Sequence, residues 1–344
     1  MKWHFTLALL LTNAYIIDAQ EAPKIKPGYA TDGRPGFVAH YTVEDLKWKR
    51  HEIPGLPAGI AAKILSRDER SGAMSLMIYY PNGWKNVAGY NDADQELFVL
   101  EGDMTIGDQK LTKYSYTFIP AGMTQGPLST RHGAVVLTFF NTNARFVGSE
   151  KNKSGARVHA LIRDWNFYKT PWNTAAMPVY RKGPPLPGLR LKLLRHDKDT
   201  GEMTWMTFGV GGGPGGGAGL WEVHPTFEEY FLVERSGDST VGECLANGPT
   251  PLTYGNRGYW FRPADIGHLG GISRSTGYGI SLVRTGGPLW AYYYTDCSYS
   301  QQVEVTSEGG GFKLVPRDYK PGPEHYSSGA ALQQSGGQSS ATKP

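Results

Sequence analysis

The sequence predicts an all-β protein built from two copies of one small β-barrel. Three observations carry that prediction: a length suited to two domains, a composition of strands and tight turns, and an internal repeat. The chain has 344 residues, enough for two ordinary domains that each bury a core. Its 45 Gly, 23 Pro, 20 Tyr and 9 Trp favour strands joined by turns, because stretches with helical apolar spacing are scarce. The repeat sets Lys63-Ile64-Leu65-Ser66-Arg67-Asp68-Glu69-Arg70-Ser71-Gly72-Ala73-Met74 beside Lys192-Leu193-Leu194-Arg195-His196-Asp197-Lys198-Asp199-Thr200-Gly201-Glu202-Met203, with Lys, Leu, Asp, Ser/Thr, Gly and Met in register. Asp followed by Ser/Thr-Gly is turn chemistry. The flanks 75–80 and 204–208 read as strands, so each copy opens with a hairpin.

In chain order, residues 1–19 read as a secretory signal peptide: Lys2 is the positive start, Phe5 to Leu11 the apolar stretch, and Ile17-Asp18-Ala19 the cleavage site. The apolar run is too short to span a bilayer. Export to the extracellular space or a periplasm would permit a disulfide between Cys244 and Cys297, the two cysteines of the chain. Residues 20–165 make the first barrel and 191–318 the second. Between them, 166–190 holds Pro171, Pro178, Pro184, Pro185 and Pro187 and reads as an extended linker. Gly209 to Gly219 reads as a loop at the mouth of the second barrel, a candidate lid, and 319–344, rich in Gly, Ser, Gln and Ala, as a disordered tail. A net charge of +4 from dispersed residues leaves no footprint for nucleic acid or an anionic membrane. The expected partner is a small molecule, and an exposed barrel edge is where a second subunit would join.

The halves stay parallel beyond the hairpin. Glu96-Leu97-Phe98-Val99-Leu100-Glu101-Gly102 matches Glu229-Tyr230-Phe231-Leu232-Val233-Glu234, and Tyr116-Thr117-Phe118-Ile119-Pro120-Ala121 matches Tyr259-Trp260-Phe261-Arg262-Pro263-Ala264. In the second half Gly216 stands six residues before Glu222, then come Val223, His224 and, after three residues, Glu228; His268 lies five residues after Pro263. These spacings resemble the two motifs of the cupin superfamily, G-x5-H-x-H-x3,4-E-x6-G and G-x5-P-x-G-x2-H-x3-N. The resemblance covers about residues 55 to 315, and the paired degenerate barrels look closest to cupin-like families without an assigned activity. It implies two tandem jelly-roll barrels, a bicupin, with Glu222, His224, Glu228 and His268 on ligand positions. Four residues depart from the pattern: Glu222 replaces a His, Arg235 a Gly, Asp265 a Gly and Ile272 an Asn.

Strand alternation puts Glu222 and His224 on one face, and a turn at Pro225 can return Glu228 to it. Two imidazoles with one or two carboxylates suit a divalent transition metal: Fe, Mn, Ni, Cu or Zn. Glu229 also satisfies the permitted spacing, so either acid could be the ligand; Glu222 or Glu229, if not ligated, could serve as base. Trp205, Tyr230 and Trp260 are candidates for a substrate pocket. In the first half Gly89, Asn91, Gln95 and Gln125 occupy the ligand positions, so that barrel reads as metal-free. The resemblance implies a metal-dependent, dioxygenase-like oxidoreductase acting on a small organic molecule; a lyase, decarboxylase or isomerase, and a non-enzymatic binder of a small molecule or carbohydrate, are the alternatives.

Overall fold

The computed structural model describes residues 37–50, 55–173, 189–210, 221–224, 226–245, 248–264, 266–272, 278–287, 289, 292–294, 297, 302–306 and 311–315. The signal peptide, most of the Pro-rich linker, the Gly-rich loop from residue 211 and the C-terminal tail lie outside these residues. Among the described residues the chain is all-β, with two short 3-10 turns at Val43–Asp45 and Val158–Ala160, and no helix is long and apolar enough to cross a membrane. The architecture is two tandem jelly-roll barrels.

Each half opens with the expected hairpin. Ala61–Arg67 pairs with Met74–Tyr80, and Leu189–His196 with Met203–Val210. The repeat explains the turns between them. Asp68 Oδ1 accepts the Arg70 N–H at 3.0 Å, and Asp197 Oδ1 accepts the Asp199 N–H at 3.0 Å. Gly72 and Gly201 then take φ values of +71° and +75°, the left-handed region where a side chain is strained. One turn solution is therefore used twice.

The main sheets also match strand for strand. In the first barrel the order runs Ile162–Asn166, Ser115–Ile119, Gln95–Ile106, Ala134–Phe140, Met74–Tyr80, Ala61–Arg67, with Lys49–Arg50 added at that edge; in the second the six equivalent strands run Val38–His40, Tyr259–Arg262, Glu228–Arg235, Tyr278–Thr285, Met203–Val210, Leu189–His196. The outermost strands are exchanged. Val38–His40, ahead of the first barrel, pairs with the second, while Ile162–Asn166, ahead of the second hairpin, pairs with the first. Each arm covers a sheet edge that would otherwise present unpaired N–H and C=O groups.

Alternation along these strands sorts their side chains into two layers. One layer, with Leu65, Met77, Phe98 and Phe139 from the first barrel and Leu194, Met206, Phe231, Phe261 and Leu282 from the second, forms a shared core between the barrels. The other fills each barrel: Leu76, Ile78, Leu97, Val99 and Val136 in the first, and Leu191, Met203, Trp205 and Val283 in the second. Each such side chain contributes about 1.5–3 kcal/mol when fully buried. The shared core therefore fixes the two barrels against each other.

The same interface buries a charge network. Glu96 accepts from Tyr116 at 2.6 Å and Thr204 at 2.5 Å, and Glu229 from Tyr259 at 2.6 Å and from Ser75. Each carboxylate thus takes one hydroxyl from its own barrel and one from the other. Arg284 joins them, with Nε 3.0 Å from Glu96 and Nη1 2.5 Å from Glu229.

Candidate metal centre

A five-stranded sheet closes the second barrel, in the order Gly248–Tyr254, Ser239–Leu245, His268–Ile272, Trp221–Val223, Tyr292–Tyr294. Its central strand, His268–Ile272, and the neighbouring Trp221–Val223 carry candidate ligands, and Glu222 lies directly opposite His268 in their register. His224 follows two residues after Glu222, on the same face. Glu222, His224 and His268 converge, each offering a ligand atom within 4.8 Å of the others. The two imidazole rings stand 5.2 Å apart, centroid to centroid.

Glu228 enters from the opposing sheet, buried at 4 % exposure. Its carboxylate oxygens lie 3.9 Å from His224 Nε2 and 3.4 Å from His268 Nε2, while Glu222 Oε1 is 3.7 Å from His224 Nε2. Atoms bonded to one ion at about 2.0–2.2 Å sit roughly 3–3.5 Å apart, so Glu222, His224 and His268, whose ligand atoms lie within 4.8 Å of one another, would close by up to about an ångström around a single cation. Donor chemistry agrees. Burial, helped by Arg262 and His224, holds the His268 imidazole well below its ordinary value, leaving it neutral with a lone pair to donate.

Behind Glu228 is a buried ion triad. Arg262 donates from Nη1 to Glu228, and from Nε and Nη2 to Glu243 at 2.9 and 2.5 Å. Burial raises the carboxyl groups of both Glu228 and Glu243 above the ordinary range, against the opposing pull of Arg262. Two acids thus share one guanidinium, with Glu222 close to His224 beyond them. Sequence reasoning missed Arg262 and Glu243. The available signal was Arg262 itself, a charge at the register that Ile119 fills in the first copy.

Glu229 is placed elsewhere. Adjacent to Glu228 on one strand, it points to the opposite face and is buried at the interface with Arg284, Tyr259 and Ser75. That placement corrects its reading as an alternative ligand or base. Trp205, Tyr230 and Trp260 all face the interior of the second barrel. Trp205 packs with Leu191, Met203 and Val283. Tyr230 stacks on Trp260 at 4.6 Å, and Tyr254 lies against Trp260 at 4.4 Å. Of the three, Trp205 and Trp260 are buried and Tyr230 is half-buried.

The first barrel shows the same frame with different chemistry. Gly89 pairs with Gln125, as Glu222 pairs with His268. Gln95 Oε1 accepts from Asn91 Nδ2 at 2.9 Å and from Gln125 Nε2 at 3.0 Å, closing the position with amides. A Cβ on Gly89 would lie 2.4 Å from both the Phe146 ring and the Val147 carbonyl oxygen, so no ligand side chain fits there.

Residues 40–288 match the protein family described as "Domain of unknown function (DUF4437)". No curated protein matches the sequence. Among solved structures, a Nostoc punctiforme protein whose name carries a provisional dioxygenase assignment is similar, with TM-score 0.59 and 20% identity over 74% of this chain and 84% of that one. Bacillus subtilis oxalate decarboxylase (TM-score 0.47, 10% identity, 77% and 79% coverage) and the 7S globulin of Momordica charantia (0.46, 12%, 74% and 84%) are similar at lower scores.

Proposed function

The chain belongs to the DUF4437 family, and from the geometry of its second barrel we propose that it is an exported, metal-dependent bicupin oxidoreductase with dioxygenase-like chemistry on a small organic substrate. The observation that carries this reading is the convergence of Glu222, His224 and His268, with Glu228 alongside. Glu222, His224 and His268 would hold the ion. When bound, a divalent transition metal supplies Lewis acidity or redox chemistry at open coordination positions.

The chain's own groups do the rest. Arg262 and Glu243 orient Glu228, whose raised carboxyl is suited to hold a proton beside the imidazoles. Tyr230 offers a ring to the substrate, and the buried aromatic wall behind it excludes water. The dioxygenase assignment in the name of the Nostoc punctiforme protein agrees with this reaction class. The Cys244–Cys297 disulfide suits an oxidising compartment and supports export.

The test is anaerobic reconstitution with Fe, Mn, Ni, Cu and Zn separately, followed by metal analysis and an O2-consumption screen on small phenols, diketones and carboxylic acids. Wild type should retain about one ion per chain and His268→Ala should retain none. A wild type that holds no metal in any arm overturns the proposal in favour of a binding protein.

A further inference from the structure

The disulfide sits in a telling place. The strands of Glu222 and His268 share a single register pair, a narrow junction for two residues that must hold one ion. On one side of it, Ser239–Leu245 pairs with the His268 strand, Glu243 opposite His268, and the Cys244 N–H donates to the Gly267 carbonyl at 2.8 Å. On the other side, Tyr292–Tyr294 pairs with the Glu222 strand, Glu222 opposite Tyr293, and Cys297 follows three residues later. The bond between Cys244 and Cys297 therefore closes across both ligand strands from outside.

The first barrel provides the contrast. There Gly89 and Gln125 exchange two backbone hydrogen bonds, at 3.1 and 2.7 Å, the amides of Asn91, Gln95 and Gln125 bind one another, and that half contains no cysteine. The covalent bracket is found in the barrel whose ligand positions carry imidazoles and carboxylates.

We propose that Cys244 and Cys297 are positioning residues for the metal centre, so that metal affinity depends on their bond being closed. This rests on the reading of the second barrel as a metal site. Opening the bond with a dithiol breaks S–S, transfers two electrons and two protons to the cysteine sulfurs, and leaves the reductant as its own disulfide. The ligand strands would then be joined by little more than the Glu222–His268 pair.

The test compares full-length wild type with Cys244→Ala/Cys297→Ala by titration with Zn(II), read by competition with a chromophoric chelator, and with Mn(II), read from the loss of the free-ion EPR signal. Circular dichroism monitors the fold. The expected result is a folded variant with at least about tenfold weaker binding and an altered bound-Mn(II) spectrum, a change that general stabilisation by a disulfide would not produce. Equal affinity and an unchanged spectrum overturn the proposal while leaving the metal centre standing. Wild type that binds neither ion overturns the metal reading itself. If the variant does not fold, Mn(II) titration of dithiol-reduced against oxidised wild type measures the same difference in affinity, because Mn(II) prefers oxygen ligands to thiolates.

Discussion

The two barrels place four residues at equivalent points of one frame, yet the two sets differ in chemistry. In the first barrel the amides of Asn91 and Gln125 donate to Gln95, so donors meet acceptors and the position closes. In the second, His224 and His268 face Glu222 and Glu228 at 3.4 to 3.9 Å, so imidazoles are set against carboxylates. That arrangement suits a bound proton or cation. The difference teaches that the fold supplies the convergence, and donor chemistry decides whether it becomes a metal site.

The largest effect tests what the barrels share. Arg284 is the one guanidinium bonded to both Glu96 and Glu229 among the described residues, so Arg284→Met takes the ion-pair partner from buried Glu229 and leaves Glu96 with Arg195 at 3.9 Å. Breaking such a buried pair costs about 3–5 kcal/mol, to be read as a shift in urea midpoint at constant slope. A loss below about 1 kcal/mol would show that the pseudo-symmetric network is dispensable to barrel pairing.

The next effect separates the barrels. His224→Ala should weaken metal binding by about 100-fold, while Gln125→Ala should leave metal content untouched and cost only about 1–2 kcal/mol of stability from lost hydrogen bonds. Equal metal loss in both variants would erase the contrast. A smaller test concerns the closed position: Gly89→Ala puts a Cβ against the Val147 carbonyl, an overpacking that costs about 1–3 kcal/mol by thermal or chemical denaturation. A neutral result would show that the first barrel has room for a ligand side chain.

Much of this comparison was legible in the sequence, for physical reasons. The Asp68–Gly72 and Asp197–Gly201 turns carry the repeat, because each residue of such a turn has a local duty that spacing reveals. The positions of Glu222, His224 and His268 follow from strand alternation and motif spacing, which are local too. Glu228 and Glu229 were left open because adjacent residues on a strand differ only in which face they meet, and both faces here are buried. Arg262, Glu243 and the exchanged arms were illegible for another reason. Their partners are set by long-range register: Val38–His40 finds its edge strand, Tyr259–Arg262, in the other half of the chain, and a three-residue strand carries too little periodicity to announce itself.

The exchanged arms give the smallest and most discriminating prediction. In the first barrel Trp165 lies opposite Tyr116; in the second His40 lies opposite Tyr259 and stacks on it at 5.9 Å. Only the His40 contact can titrate near neutral pH. Burial lowers the His40 pKa, against an opposing hydrogen bond with the Leu65 carbonyl. A histidine depressed in the folded state favours proton uptake by the unfolded chain, so its contribution to stability is fully present above about pH 6.5 and is lost as pH falls from there toward the folded value. Wild type should therefore lose stability relative to His40→Gln between about pH 7.5 and 5.5, by roughly 1 kcal/mol for each unit of depression, while Trp165→Phe should track wild type in slope. Parallel wild-type and His40→Gln profiles would mean that the two arms are electrostatically alike.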